Sequence, residues 1–388
     1  MKFLFCAALA TALAGFGRIR AGEEKVVRFG ACISLTGEFA PLGNTLFTGL
    51  ELRLNEFNEE GELPGVRLEM EVRDDASDPD RAREIAREFA AREDIVAVVG
   101  PVSTTLALAM REIISSARVP LVMPSVTSPL LGRDGDRVFR ILFDDDFQGR
   151  ALAEFLFGKL GLKRAAVVLN SRFEYGVSIS RAFKDAFIAQ GGTIVLEERY
   201  SRDLDSEEAY GFVPILERVK AANPQAVLLP CYAEDVVAII QDSLELDFVD
   251  NLGLPIRFCG GDSWHQDSVL NESGYNLNDS YYVGPMDDDN RRPANTHFLR
   301  LLNLSNETTA EMSSARGYDA LSVIAEALKT GLDRESATSG LYALRNFPLV
   351  TGNITFDREK GTLKTAYVIR IRIRDGVLVR EVVAIVDP

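Results

Sequence analysis

The chain has 388 residues, of which 46% are hydrophobic and 26% charged, and a formal charge of −15. That balance excludes a disordered or fibrous polymer, and the acidity argues against a broad nucleic-acid or anionic-lipid surface, because phosphates would be repelled. Four cysteines exclude a disulfide scaffold, and two histidines, His265 and His297, leave little material for a His-rich metal centre or a His-centred triad.

The first segment reads as an address. Residues 1–21 place Lys2 before an apolar run from Phe3 to Phe16, with Ala12-Leu13-Ala14 as a small-residue cleavage pattern. This is the layout of a secretory signal, and the run is short for a membrane span. The remaining chain is expected to be exported and soluble.

From residue 26 onwards the pattern alternates strand and helix. Short Val-, Ile- and Leu-rich runs predict strands at Val26–Ile33, Val66–Val72, Ile95–Val99, Leu121–Met123, Ala165–Leu169, Thr193–Glu197, Ala226–Leu229, Ile256–Phe258 and Tyr281–Val283. Between them, apolar residues at helical spacing predict helices over Thr45–Glu60, Asp80–Arg92, Leu106–Ala117, Gly149–Leu160, Ser178–Gln190, Glu207–Ala222, Ala233–Leu246 and Ala315–Thr330. Buried apolar strands separated by helices imply an α/β fold with parallel sheets covered on both faces. The length favours two lobes over one continuous sheet. The tail, Thr351–Pro388, alternates apolar and polar residues, as antiparallel strands with one solvated face would.

In open α/β sheets, ligands sit beyond the carboxyl ends of the strands. Five such exits carry chemistry. After Ile95–Val99 come Ser103, Thr104 and Thr105 at a helix start, which serves equally as an N-cap or as a seat for a carboxylate. After Leu121–Met123, two prolines bracket Ser125 and Thr127, a stiff turn or a second polar wall. Tyr175 and Tyr232 follow two strands of the second half at equivalent places, where a ring can stack on a ligand and its hydroxyl meet a polar group. After Ile256–Phe258, Gly260 and Gly261 precede Asp262 and Trp264, a tight turn or a cation partner. Cys231 and Cys259 end predicted strands, compatible with a disulfide and, more simply, with buried thiols. The runs Asp144–Asp146 and Asp287–Asp289 lack the spacing of a calcium loop and read as solvated linkers. No dinucleotide, phosphate-loop, serine-hydrolase or zinc-protease motif occurs.

Together, ISLTGEFAPLG (33–43), DDASDPDRA (74–82), VVGPVSTT (98–105), VPLVMPSVTSP (119–129), EYG (174–176), GGDSW (260–264), ARGYDAL (315–321) and TGNITFD (351–357) resemble the solute-binding proteins of branched-chain amino-acid ABC transporters, the type I periplasmic binding proteins. The resemblance implies two Rossmann-like lobes joined by three crossover strands, near Ile141–Asp145, Val283–Met286 and Leu349–Ile354. It assigns residues 26–142 plus 286–350 to one lobe and 143–285 plus 351–388 to the other.

By the same resemblance, Thr104, flanked by Ser103 and Thr105, would take an amino acid's α-carboxylate, and Thr127 would contact both carboxylate and amine. The Ser125 carbonyl and Asp262 would hold the ammonium, and Tyr175 and Tyr232 would close over the ligand. Leu42 stands where relatives carry an aromatic residue, so Leu42 and Trp264 are the expected side-chain pocket. The resemblance implies a non-enzymatic, monomeric periplasmic receptor without cofactor or metal that hands an amino acid to an ABC permease in the inner membrane. An amide, urea or aromatic acid is the alternative ligand.

Overall fold

The computed structural model describes residues 24–132, 137–204, 211–286, 292–304 and 312–388. The signal segment and Asp287–Asp289 lie outside the described residues.

Along the chain, β1 (Lys25–Ile33), α1 (Ala40–Glu60), β2 (Val66–Asp74), α2 (Pro79–Ala91), β3 (Ile95–Val99), α3 (Thr104–Ser116), β4 (Leu121–Met123) and β5 (Val138–Arg140) build the first sheet and its early helices. The strands run in the order β2-β1-β3-β4-β5, all parallel. β3, with sequence IVAVV, is buried along its whole length, as a central strand covered on both faces requires. α2 starts at Asp78, whose side chain accepts from the Asp80 backbone N–H, with proline in the first turn.

The second half follows with α4 (Asp145–Glu154), β6 (Arg164–Asn170), α5 (Glu174–Ala189), β7 (Thr193–Tyr200), α6 (Val213–Ala221), β8 (Ala226–Leu228), α7 (Ala233–Ser243), β9 (Arg257–Gly260), α8 (Asp267–Glu272) and β10 (Ser280–Gly284). The chain then adds α9 (Pro293–Leu304), α10 (Met312–Ala327), α11 (Arg334–Ala343), β11 (Ile354–Asp357), β12 (Gly361–Lys364), β13 (Ala366–Arg374) and β14 (Val377–Val386). The second sheet has the order β14-β13-β10-β9-β8-β6-β7. Its body is parallel, and β13 and β14 join antiparallel. The molecule is thus two α/β lobes.

Helices α10 and α11 return to the first lobe and share its core, through Leu321, Ile324 and Leu341 against Leu50, Val98 and Ile114. α10 lies unusually close to α1. A Cβ on Gly317 would stand 2.0 Å from the Leu46 carbonyl oxygen, and one on Gly49 1.8 Å from that of Ser314. Two glycines therefore bring the helix backbones into contact.

The structure moves one expected boundary. Ile354 and Phe356 of β11 belong to the first lobe's core, and Phe356 packs edge-on against Phe139 of β5 at 5.2 Å. The hairpin β11–β12 thus sits with the first lobe, although 351–388 was expected in the second. The last passage falls between Lys364 and Ala366. The hairpin's alternation predicted a strand pair but carried no sign of which sheet it would cover. β5, α9 and α11 were not anticipated; β5 is only three residues long, too short for a period to register.

Candidate functional site

The carboxyl ends of the two sheets face one another across a nearly filled space, a cavity of about 20 Å³, lined by Leu42, Val102, Thr104, Ser125, Thr127, Tyr175, Tyr232, Asp262, Ser263, Gln266 and Arg316. That is room for about one water and far less than a small-molecule site offers, so the walls must part to admit a ligand. Two wider grooves, beside Lys25 and Arg118 and beside Arg53 and His297, are each built from one lobe only.

The first lobe supplies hydroxyls. The turn after β3 delivers Ser103 as the N-cap of α3, its side chain accepting from the Leu106 backbone N–H. Thr104 is then turned into the cavity at the positive end of the helix. Of the three hydroxyl residues expected here, only Thr104 lines the cavity. Ser103 is spent on the cap, and Thr105, one position further round the helix, is exposed. The turn after β4 adds Ser125 and Thr127. The Ser125 Oγ is buried with no hydrogen-bond partner among the described residues.

The second lobe supplies an acid and two rings. Asp262 begins a single helical turn after β9 and is 3% exposed. Its Oδ1 accepts from Gln148 Nε2 at 3.1 Å and lies 3.2 Å from the Tyr175 hydroxyl. That hydroxyl is also 2.9 Å from Ser263 Oγ and accepts from the Ser263 backbone N–H at 3.1 Å. Tyr175 stacks on Tyr232 with ring centres 5.3 Å apart. Burial, and then the Asp262 charge, push both phenols above their usual pKa, so both hydroxyls stay protonated donors.

Trp264, expected in the ligand's side-chain pocket, is not there. It is fully buried in the second lobe's core, where its indole N–H donates to the Leu229 carbonyl at 3.0 Å. A strand-exit position says nothing about which way a ring turns, and a large apolar ring turns inward where an acceptor is in reach. Leu42 does line the cavity. His265 is buried, its Nδ1 3.0 Å from the Tyr282 hydroxyl, and is not among the lining residues. Cys231 and Cys259 are both free and buried.

Two charged groups escaped the sequence reading. Arg316, on α10, reaches across from the first lobe, and its Nη2 lies 2.8 Å from Asp262 Oδ2. Asp145, read as part of a solvated run, is fully buried directly behind the cavity. Gln148 Nε2 donates to its Oδ1 at 2.8 Å and bridges it to Asp262. Burial pushes the Asp145 carboxyl up to about 7, opposed by the Thr127 hydroxyl beside it and reinforced by the Asp262 charge. Asp144 caps α4 by accepting from the Phe147 backbone N–H. The signal for Arg316 was the single cation in α10, between small residues at Ala315 and Gly317.

Outside the cavity the lobes touch again. Phe39 packs edge-on against Phe173 at 5.8 Å and Tyr232 at 5.4 Å, and Glu38 pairs with Arg172 at 2.7 Å. The cleft is therefore shut, with groups from both lobes enclosing one space.

Residues 26–375 match the family model described as "Periplasmic binding protein". A leucine-, isoleucine-, valine-, threonine- and alanine-binding protein of Pseudomonas aeruginosa is 25% identical over 359 residues, spanning 92% of this chain and 91% of that protein. Among solved structures, the branched-chain amino acid transporter substrate-binding protein LivJ of Streptococcus pneumoniae, in complex with isoleucine, superposes with a TM-score of 0.79 at 23% identity. That alignment covers 94% of this chain and all of the other. A solute-binding protein of an R. palustris ABC transporter, in complex with benzoate, also gives 0.79, at 21% identity over 94% and 97% of the two chains. With the family model spanning nearly the whole described chain, this protein belongs to the periplasmic binding protein family.

Proposed function

We propose that the protein is the extracytoplasmic receptor of an ABC importer and encloses a free amino acid between its lobes. The observation that carries this reading is the enclosed cavity itself, with a helix end and hydroxyls on one wall and a buried carboxylate on the other. A zwitterion needs that pairing. Thr104 and the start of α3 suit its carboxylate, and Asp262 with the Ser125 carbonyl suits its ammonium. Thr127 lies between them, and Tyr175 and Tyr232 form the lid. Because the walls belong to different lobes, the ligand stabilises the shut form, which gives a membrane permease a surface that differs from the empty state. We further propose that 26–142 with 286–364 forms one lobe and 143–285 with 366–388 the other. Residues 1–21 would direct a monomeric receptor to the periplasm. The relatives that bind leucine, isoleucine and valine support an amino acid as ligand.

One observation favours a second reading. Asp262 already holds a cation, Arg316, so an acid without an amine is compatible with the site, as in the benzoate-bound relative. A thermal-shift panel of the twenty amino acids, urea, acetamide and benzoate decides between the two. Stabilisation by α-amino acids supports the proposal, and stabilisation by benzoate alone refutes it.

A further inference from the structure

Arg316 is 5% exposed and lines the cavity, yet among the described residues it makes a single hydrogen bond, from Nη2 to Asp262. Its Nε is buried with no acceptor. A guanidinium is a planar fork of five donors, always charged, and leaving its donors unmatched inside a closed site is costly. Its position is not a packing accident. The Gly49–Gly317 contact fixes α10 against α1 and so fixes the backbone from which Arg316 extends.

A neutral zwitterion leaves this cation poorly served. The α-carboxylate goes to Thr104 and the helix end, and the ammonium to Asp262. Arg316 must then share Asp262 with a second positive charge, which repels it. A second carboxylate on the ligand removes the conflict. Each of its charges then faces an opposite one, and the guanidinium gains an acceptor for its unmatched Nε. Leu42, Val102 and the rings of Tyr175 and Tyr232 are the apolar part of the lining, and Arg316 is the one cation in it among the described residues.

Building on the amino-acid reading, we infer that the ligand is an amino acid with an acidic side chain, and that Arg316 receives its second carboxylate. Arg316 is then the specificity-determining residue, and Asp262 serves both the ammonium and the guanidinium.

Isothermal titration of the full protein with L-glutamate, L-aspartate, L-leucine, glutarate and benzoate tests this. L-glutamate or L-aspartate should bind at least tenfold more tightly than L-leucine. Arg316→Gln, which keeps a donor for Asp262 and removes the competing positive charge, should abolish that preference. Arg316→Lys, which keeps the charge and loses the fork, should retain part of it. If L-leucine binds the native protein as tightly as the acidic amino acids, the inference fails and the amino-acid reading stands. If glutarate or benzoate binds and no amino acid does, both fail. The native protein alone decides these outcomes, so a poorly folded variant cannot obscure them.

Discussion

Asp145 offers a test that needs no ligand. Its carboxyl is fully buried behind Thr127 and 2.8 Å from Gln148 Nε2, and burial lifts it from 3.8 to about 7. Between those values the folded protein holds a proton that the unfolded chain has released. Stability must therefore fall as pH rises through that window, and level off above it. Each pH unit is worth about 1.4 kcal/mol, so the whole window amounts to ~4 kcal/mol. Asp145→Asn cannot ionise but keeps an oxygen for Gln148. Urea denaturation of the full protein, followed at several pH values from 4 to 8, should show the variant gaining on the native protein by ~4 kcal/mol across the series. The native protein should also show a protonated-carboxyl band by infrared difference at pH 5 that the variant lacks. Parallel stability profiles for the two proteins would refute the buried, proton-holding carboxyl.

Other consequences are equally direct. Thr104→Ala should weaken binding of whichever amino acid the panel identifies by tenfold or more, read by titration, while the ligand-free melting temperature stays put; a charged hydrogen bond contributes about 1.5–3 kcal/mol. Gly317→Val forces a side chain to within 2.0 Å of the Leu46 carbonyl and should lower stability by about 1–3 kcal/mol in thermal denaturation. Gly158→Ala, whose added carbon would meet nothing nearer than 4.0 Å, is the matched control. Cys32, Cys231 and Cys259 are buried thiols, and burial pushes Cys231 up to about 12. All three should resist a thiol reagent at pH 8 until the protein unfolds, and a reductant should leave the melting curve unchanged.

Much of this molecule could be read from strand exits. Ile95–Val99 and Leu121–Met123 are strands with the predicted bounds, because short apolar runs bounded by Asp94 and Gly100, and by Pro120 and Pro124, leave little room for a helix. The expected Thr104, Ser125, Thr127, Tyr175, Tyr232, Asp262 and Leu42 come together around one cavity, since a parallel sheet gathers the ends of its strands. What remained illegible depends on direction or on distance along the chain. Ser103 and Thr105 flank the right residue but point elsewhere, one to the helix cap and one to solvent. Trp264 follows the right strand but turns into the core. Arg316 stands 54 positions from Asp262 in the sequence, and no periodicity in its helix announces that partner. Asp145 misled for the opposite reason. A run of three acids is ordinarily solvated, but here the first caps α4 and the second is driven inside with the helix.

The path of the chain between the two sheets has a practical corollary. The polypeptide leaves the first lobe after β5, returns to it after β10, and leaves again between Lys364 and Ala366. Neither half is a contiguous stretch, so no truncation yields one half alone. A single nick at any passage still leaves two covalent links, and the pieces should copurify. Circular permutation that opens one passage would accordingly preserve assembly while loosening the swing between the halves. It offers a way to vary how readily the protein shuts without altering any residue that faces the cavity.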